Sequence, residues 1–224
     1  MDNNSLININ GNGVPTLDIL ILMTIVMLLP SILIMMTSFS RILIIISFTR
    51  NAMGIQQTPP NMVLVGISLF LTLFIMRPVI SEINETAYQP YVEGQMTQEQ
   101  ALDAASVPMK EFMLSQTEID TLNMFMDFAG METPENVQEN VQDIPMTVVI
   151  PSFMTSELTR GFMAGFLIFI PFLLIDVVVA SVLMSMGMIM LPPATISLPF
   201  KLLLFVTVNG WELLFSSIVQ SATY

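Results

Sequence analysis

Residues 169–201, FIPFLLIDVVVASVLMSMGMIMLPPATISLPFK, decide how the rest of the chain is read. An apolar run carries one carboxylate, Asp176, and ends in a methionine cluster around Gly187. Pro192-Pro193 follow, and the next apolar run holds one ammonium, Lys201. A solitary charge in an apolar setting needs a partner or a wet cavity. Methionine is flexible and polarizable, suited to surfaces that adapt to different shapes. The stretch predicts a membrane-associated hairpin of helices with a deformable constriction at its break.

Working outward, apolar runs cover residues 17–46, 62–76, 161–186 and 196–219. Several approach the ~20 residues that span a bilayer. The chain is 54% hydrophobic, with a mean hydropathy of +0.75. Charge is segregated: residues 81–150 hold thirteen of the eighteen carboxylates and one of the six bases, Lys110, and so carry all of the net charge of −12. An acidic soluble domain inserted into a neutral hydrophobic frame is expected. The divisions are a polar N-terminal segment (1–16), a first hydrophobic helical hairpin (17–80), the acidic domain (81–150) and a second hairpin (151–224) with a Met-rich loop at 186–191. The fold class is all-α.

Local signals add detail. Pro30 predicts a kink or a helix-loop-helix in the first run. Residues 109–128 space Phe112, Met113, Ile119, Leu122, Phe125 and Met126 as an amphipathic helix does, and 130–145 reads as loop. Thr155-Ser156-Glu157 reads as a helix start, where Glu157 and Arg160, three apart, can pair locally or reach other subunits. Arg41 and Arg50 flank the first turn, so the positive-inside bias puts 50–60 and 187–195 in the cytoplasm and 81–150 outside. Without cysteine or histidine, disulfides, thiolate or imidazole metal sites and the commonest general base are excluded. No catalytic residue, metal or cofactor is expected. Nucleic acid is not an expected partner, because no basic patch exists.

The two inner turns match in spacing: Met53-Gly54, four residues, Pro59-Pro60; and Met186-Gly187, four residues, Pro192-Pro193. A parallel repeat of hairpins would explain the match, and so would chance, since Gly and Pro-Pro are common punctuators. The central residues differ: Ile-Gln-Gln-Thr in the first, Met-Ile-Met-Leu in the second. A water-exposed turn has no reason to be Met-Ile-Met-Leu. Methionine at every second position suits an extended loop, with Met186, Met188 and Met190 on one side and Ile189 on the other. A lipid-facing or packed helix end is the plainer reading.

In an antiparallel hairpin, Asp176 and Lys201 fall within about two turns of each other. A structural ion pair, direct or through a neighbouring subunit, is favoured over a proton relay, which usually shows several acids along one face. Arg41, Arg77 and Glu212 read as further structural anchors. A small-solute or ion transporter of two hairpins, with Asp176 as its relay, is the alternative function.

Segments running nearly end to end resemble one family. They are Met36-Thr-Ser-Phe-Ser-Arg41-Ile, Arg50-Asn-Ala-Met-Gly54, Ala87-Tyr-Gln-Pro90, Lys110-Glu-Phe-Met-Leu114, Thr155-Ser-Glu-Leu158, Phe169-Ile-Pro-Phe-Leu-Leu-Ile-Asp176, Ala180-Ser-Val-Leu-Met184, Pro192-Pro-Ala-Thr195, Leu198-Pro-Phe-Lys201 and Asn209-Gly-Trp211. Together they resemble FliP, the core subunit of the flagellar type III export gate; injectisome counterparts are more distant relatives. The resemblance implies a homo-oligomer, expected as a pentamer, joined by FliQ, FliR and FlhB in the bacterial inner membrane. Unfolded flagellar proteins would cross it. It implies hairpins assembled into a helical stack largely above the bilayer plane, extending to the periplasmic side. It further implies a methionine gasket closing the pore at Met186, Met188, Ile189 and Met190. Inter-subunit or buried charges would be Arg41, Arg50, Glu157, Arg160, Asp176, Lys201 and Glu212, and turns would lie at Pro30, Gly54, Pro59, Pro60, Gly187, Pro192 and Pro193. Lys110 stands where arginine is usual in the family and Asn209 where aspartate is. Family members often begin with a cleaved signal sequence, whose basic n-region residues 2–16 lack, so a mature form with an added Met1 is the expectation.

Overall fold

The computed structural model describes residues 7–9, 12–14, 16–134, 136–137 and 140–222. Residues 1–6, 10, 11 and 15 of the polar N-terminal segment, and Glu135 and Glu139 of the acidic stretch, lie outside them. The fold is all-α apart from one short antiparallel pair, β1 (Ile7–Ile9) and β2 (Asn12–Val14), in which Ile7 pairs with Val14 and Ile9 with Asn12. The helices are α1 (Thr16–Met36), α2 (Phe39–Ala52), α3 (Asn61–Ile75), α4 (Arg77–Ile83), α5 (Gln89–Val92), α6 (Gln98–Ser115), α7 (Ile119–Phe128), α8 (Met146–Ser185), α9 (Pro193–Thr207) and α10 (Gly210–Ala222). A π-helical turn, Asn84–Tyr88, joins α4 to α5.

Several breaks fall elsewhere than sequence signals place them. The helix does not break at Pro30; α1 runs through it to Met36. A proline costs one backbone bond, which a long apolar helix absorbs. The break comes at Thr37-Ser38, where the Thr37 hydroxyl donates to the Leu33 carbonyl and accepts the Phe39 amide. The chain bends by 77° there. Past the apolar run 62–76, helix resumes as α4 after a 55° bend. The last run is split by Asn209, held at φ 52°, and α9 and α10 meet at 61°. The amphipathic segment 109–128 is two helices, α6 and α7, turning at residues 116–118; Phe112, Met113, Leu122 and Met126 are buried as their spacing predicts, whereas Ile119 is exposed. Thr155-Ser156-Glu157 starts no helix. It lies inside α8, where the hydroxyls of Thr155 and Ser156 donate to the carbonyls of Pro151 and Ser152. Such back-bonding satisfies a mid-helix Ser or Thr without a cap.

The core forms around α2 and α8, with α3, α6, α7 and α10 packed on them through Ile42, Ile46, Leu64, Phe112, Val149 and Phe153. The two central helices run in the same direction. Gly161 lies against Arg41 and Ile44, Gly165 against Phe48, and Phe172 clusters with Ala52 and Met53. Helix α2 ends at that level. Helix α8 continues from Phe172 to Ser185, roughly 20 Å further at ~1.5 Å per residue. Its whole length of 40 residues is therefore about twice the ~30 Å hydrocarbon thickness of a bilayer. It is long and apolar enough to cross a membrane, and three bent helix pairs meet the same test of length and composition.

Charge locks this centre. Arg41 on α2 lies 3.2 Å from the Glu157 carboxylate on α8, and Glu157 is wholly buried. The Arg41 Nε–H is not aimed for a hydrogen bond, so this contact is one of charge. The guanidinium instead donates from Nη2 to Gln116 Oε1 at 3.2 Å, and reaches Ser38 Oγ and the Ser221 carbonyl at 3.5 Å. Arg160 does not pair with Glu157, three residues away. It turns to Glu118 at 3.7 Å and donates to the same Gln116 oxygen at 3.4 Å. The Glu118 amide donates to Ser156 Oγ. Two cations and two carboxylates thus balance where α2, α8 and the α6–α7 corner meet, and the end of α10 is tied in through Ser221.

Removing one member of a buried pair costs about 3–5 kcal/mol, while replacing both by apolar side chains is often near neutral. Arg41→Met is expected to lower the thermal transition of the detergent-solubilised chain sharply, and Arg41→Met with Glu157→Met to recover most of the loss. An unchanged transition in the single variant would contradict this role. At the α2–α8 contact, a Cβ on Gly165 would stand 2.6 Å from Phe48 Cγ, whereas one on Gly66 meets nothing within 4 Å. Gly165→Ala is expected to destabilise by about 1–3 kcal/mol and Gly66→Ala to stabilise by about 0.5–1 kcal/mol, measured on the same transition.

Candidate functional site: the α8–α9 hairpin and its methionine tip

Helix α8 ends because Gly187 takes a left-handed conformation, φ 76°, which costs glycine little. The Gly187 amide donates to the Met184 carbonyl at 3.0 Å and the Met188 amide to Leu183 at 2.9 Å. This is the paired closure of a Schellman cap. The Leu191 amide then donates to Met188 at 3.3 Å, forming a turn. Pro192 caps α9 and Pro193 is its first residue. The tip is therefore a cap followed by a turn, and the extended loop suggested by the alternating methionines does not form. Ile189 is 83% exposed and Met190 98% exposed, with Met184 and Met186 also exposed.

The first tip begins alike. Gly54 has φ 79° and its amide donates to the Asn51 carbonyl at 3.0 Å. Its Pro-Pro pair is offset by one residue, with Pro60 as the cap of α3 and Asn61 first in the helix. Arg50 ties this tip shut, donating to the Pro59 carbonyl at 3.2 Å and to Asn61 Oδ1 at 2.6 Å. The two tips differ in depth. Gly54 faces Leu198 of α9, so the first tip leans on the side of the second hairpin, whose own tip stands beyond it.

The charges of the second hairpin meet directly. Lys201 Nζ lies 2.6 Å from Asp176 Oδ2, and Ser197 Oγ donates to Asp176 Oδ1 at 2.5 Å. Each carboxylate oxygen thus has its own partner. The Lys201 side chain is 7% exposed and that of Asp176 34%. Around them the hairpin is bare hydrocarbon: Leu174, Val178, Val182, Phe200 and Leu203 are exposed. An apolar groove of about 550 Å³ runs between α8 and α9, lined by Ile175, Val179, Leu183 and Ile196 among others. Arg77 and Glu212, the other anchors read from the sequence, are exposed.

Three partners escape sequence reasoning. Ser197 carries a findable signal, since it lies one turn before Lys201 and so on the same helix face. Gln116 and Ser156 carry none: their roles exist only once α6, α7 and α8 converge.

The FliP family's sequence model matches residues 22–218. The flagellar biosynthetic protein FliP of Bacillus subtilis (strain 168) is 49% identical over 223 residues, covering 97% of this chain and 99% of that protein. The proteins of the same name from Pectobacterium carotovorum subsp. carotovorum and Aquifex aeolicus (strain VF5) are 50% and 48% identical, covering 95% and 94% of this chain and 81% and 87% of their own length. With matches of this extent, the chain belongs to the FliP family.

Proposed function

We propose that this chain is a non-enzymatic core subunit of the flagellar type III export gate in the bacterial inner membrane. Several copies, with FliQ, FliR and FlhB subunits, enclose the path taken by unfolded flagellar proteins, and residues 81–150 lie on the extracytoplasmic side. The observation that carries this reading is the second hairpin. It projects roughly 20 Å past the chain's own packed core, it is apolar on its outer faces, and residues 177–200 contain no charge. A single chain leaves that surface in water. Copies packed side by side would cover it and bring the tips together at a constriction.

The tip chemistry suits a steric gate. Met188, Ile189 and Met190, with Met186 adjacent, supply flexible apolar volume that packs against itself when the path is empty. The same side chains rearrange around a passing polypeptide without preferring a sequence. Asp176 serves this reading as a structural group, because both of its oxygens are occupied by Lys201 and Ser197. A proton relay needs further titratable groups along the run, and none lies between Arg160 and Asp176 or between Asp176 and Lys201.

Met188→Ala with Met190→Ala is expected to make the closed complex leaky to ions while export continues, read as membrane conductance in expressing cells. Unchanged conductance would sink the gasket reading. Asp176→Asn or Lys201→Met alone is expected to reduce recovery of the assembled complex on native gels, and the double replacement to restore part of it. Full assembly with lost export in the single variants would favour the relay instead.

A further inference from the structure

Two outward faces of this chain match in level, charge and shape. Helix α2 packs on both α3 and α8 and lies between them. On α3, Leu64, Ser68 and Thr72 are buried, so Gly66, Phe70 and Leu73 turn outward. On α8, Gly161 and Gly165 lie against α2, while Met163, Phe166 and Leu167 turn away from it and are exposed. Neither face carries charge: residues 51–76 and 161–175 contain none. The faces also stand level. Arg50 donates to Asn61 Oδ1, and Gly165 lies against Phe48. Gly66, five residues along α3 towards the Arg41 end, therefore falls at the level of Met163–Leu167.

Gly66 makes a notch in the α3 face. A mid-helix glycine weakens a helix relative to alanine, and a Cβ there would meet nothing within 4 Å, so no contact inside the chain calls for it. Lipid tails mould to any side chain and do not call for it either. A second helix laid across the face does, because small residues let helices approach closely. The charged ends agree. Arg77 ends the α3 face, exposed and in none of the ion pairs among the described residues. Glu118 stands at the same end beside the α8 face, its side chain 40% exposed and its carboxylate paired with Arg160 at 3.7 Å. We infer that the outer face of α3 on one copy docks against residues 163–167 of α8 on a second copy, with Gly66 receiving the bulk of Met163 and Phe166, and Arg77 meeting Glu118. The two faces differ, so the contact is head to tail, and each copy keeps a free face for the next. The inference rests on the proposed side-by-side packing of copies and names the surfaces that make it.

The chain has no cysteine, so Phe70→Cys with Met163→Cys introduces the only thiols. Treating membranes of expressing cells with a short bismaleimide is expected to give a ladder of covalent dimers and longer multiples of the full-length chain. Either cysteine alone should give none. Phe70→Cys with Leu102→Cys, exposed on α6, reports chance collision and should give none. Adding Gly66→Leu to the first pair should cut the ladder at least threefold without lowering the thermal transition of the solubilised chain. No ladder from a chain that still runs as an oligomer on native gels overturns this surface and leaves the gate reading standing. A chain that runs only as a monomer overturns both. A ladder indifferent to Gly66→Leu, or an equal ladder from the Leu102 control, overturns the surface alone.

Discussion

The buried contact between Arg41 and Glu157 is the constraint on which the rest of the chain depends. Two ions out of water are tolerated only when charge and hydrogen bonds compensate them. Here the hydrogen bonds all belong to the cations, with acceptors from α2, the α6–α7 corner and the end of α10, while Glu157 on α8 accepts none and is held by the charge of Arg41. That requirement fixes which faces of the central helices meet. Gly161 and Gly165 then let α2 approach α8 closely at Ile44 and Phe48. With those two helices parallel and locked, α2 ends level with Phe172, and the remainder of α8 stands free of the core.

That standing hairpin is physically incomplete by itself. Its exposed Leu, Val and Phe side chains form a surface well beyond the scattered apolar residues that soluble monomers tolerate. Bilayer lipid or neighbouring subunits would each cover it. The length of α8, about twice a hydrocarbon core, argues against lipid along its whole course. In the proposed gate the tip-ward part of the helix is covered laterally by other subunits, while the part before Phe172 packs one face on α2, α6 and α7 and leaves Phe162, Met163, Phe166 and Leu167 exposed on the other.

Local chemistry made part of this legible from sequence. The Asp176–Lys201 pair follows from hairpin arithmetic, because both depths are counted from one turn. The burial of Phe112, Met113, Leu122 and Met126 follows from their spacing. The tips follow from glycine and proline. What failed was local chemistry overridden by context. The helix-loop-helix reading of Pro30 gives way to one helix running through it, and Ser156, an apparent cap, sits mid-helix with its hydroxyl satisfied one turn back. Alternating methionines suggested an extended loop where Gly187 makes a helix cap and a turn follows. The Arg41–Glu157 contact was illegible for a different reason: no spacing rule links residues so far apart, and Arg160 offered Glu157 a nearer false partner.

The two tips show how one turn grammar serves two ends. Both stop a helix with a left-handed glycine and restart it at a proline pair. In the first, polar central residues, the Arg50 clasp and support from α9 make a closed corner at the level of the core. In the second, no side-chain clasp is present among the described residues, the central residues are apolar, and support ends at the Asp176–Ser197–Lys201 cluster below it. Satisfying both oxygens of Asp176 leaves that cluster with little demand for water. The hairpin above it is then free to be inserted wherever an apolar surface closes around it. Shape at its far end is left mostly to methionine side chains, beside Ile189 and Leu191, and methionines are the residues best able to change shape without breaking a backbone bond.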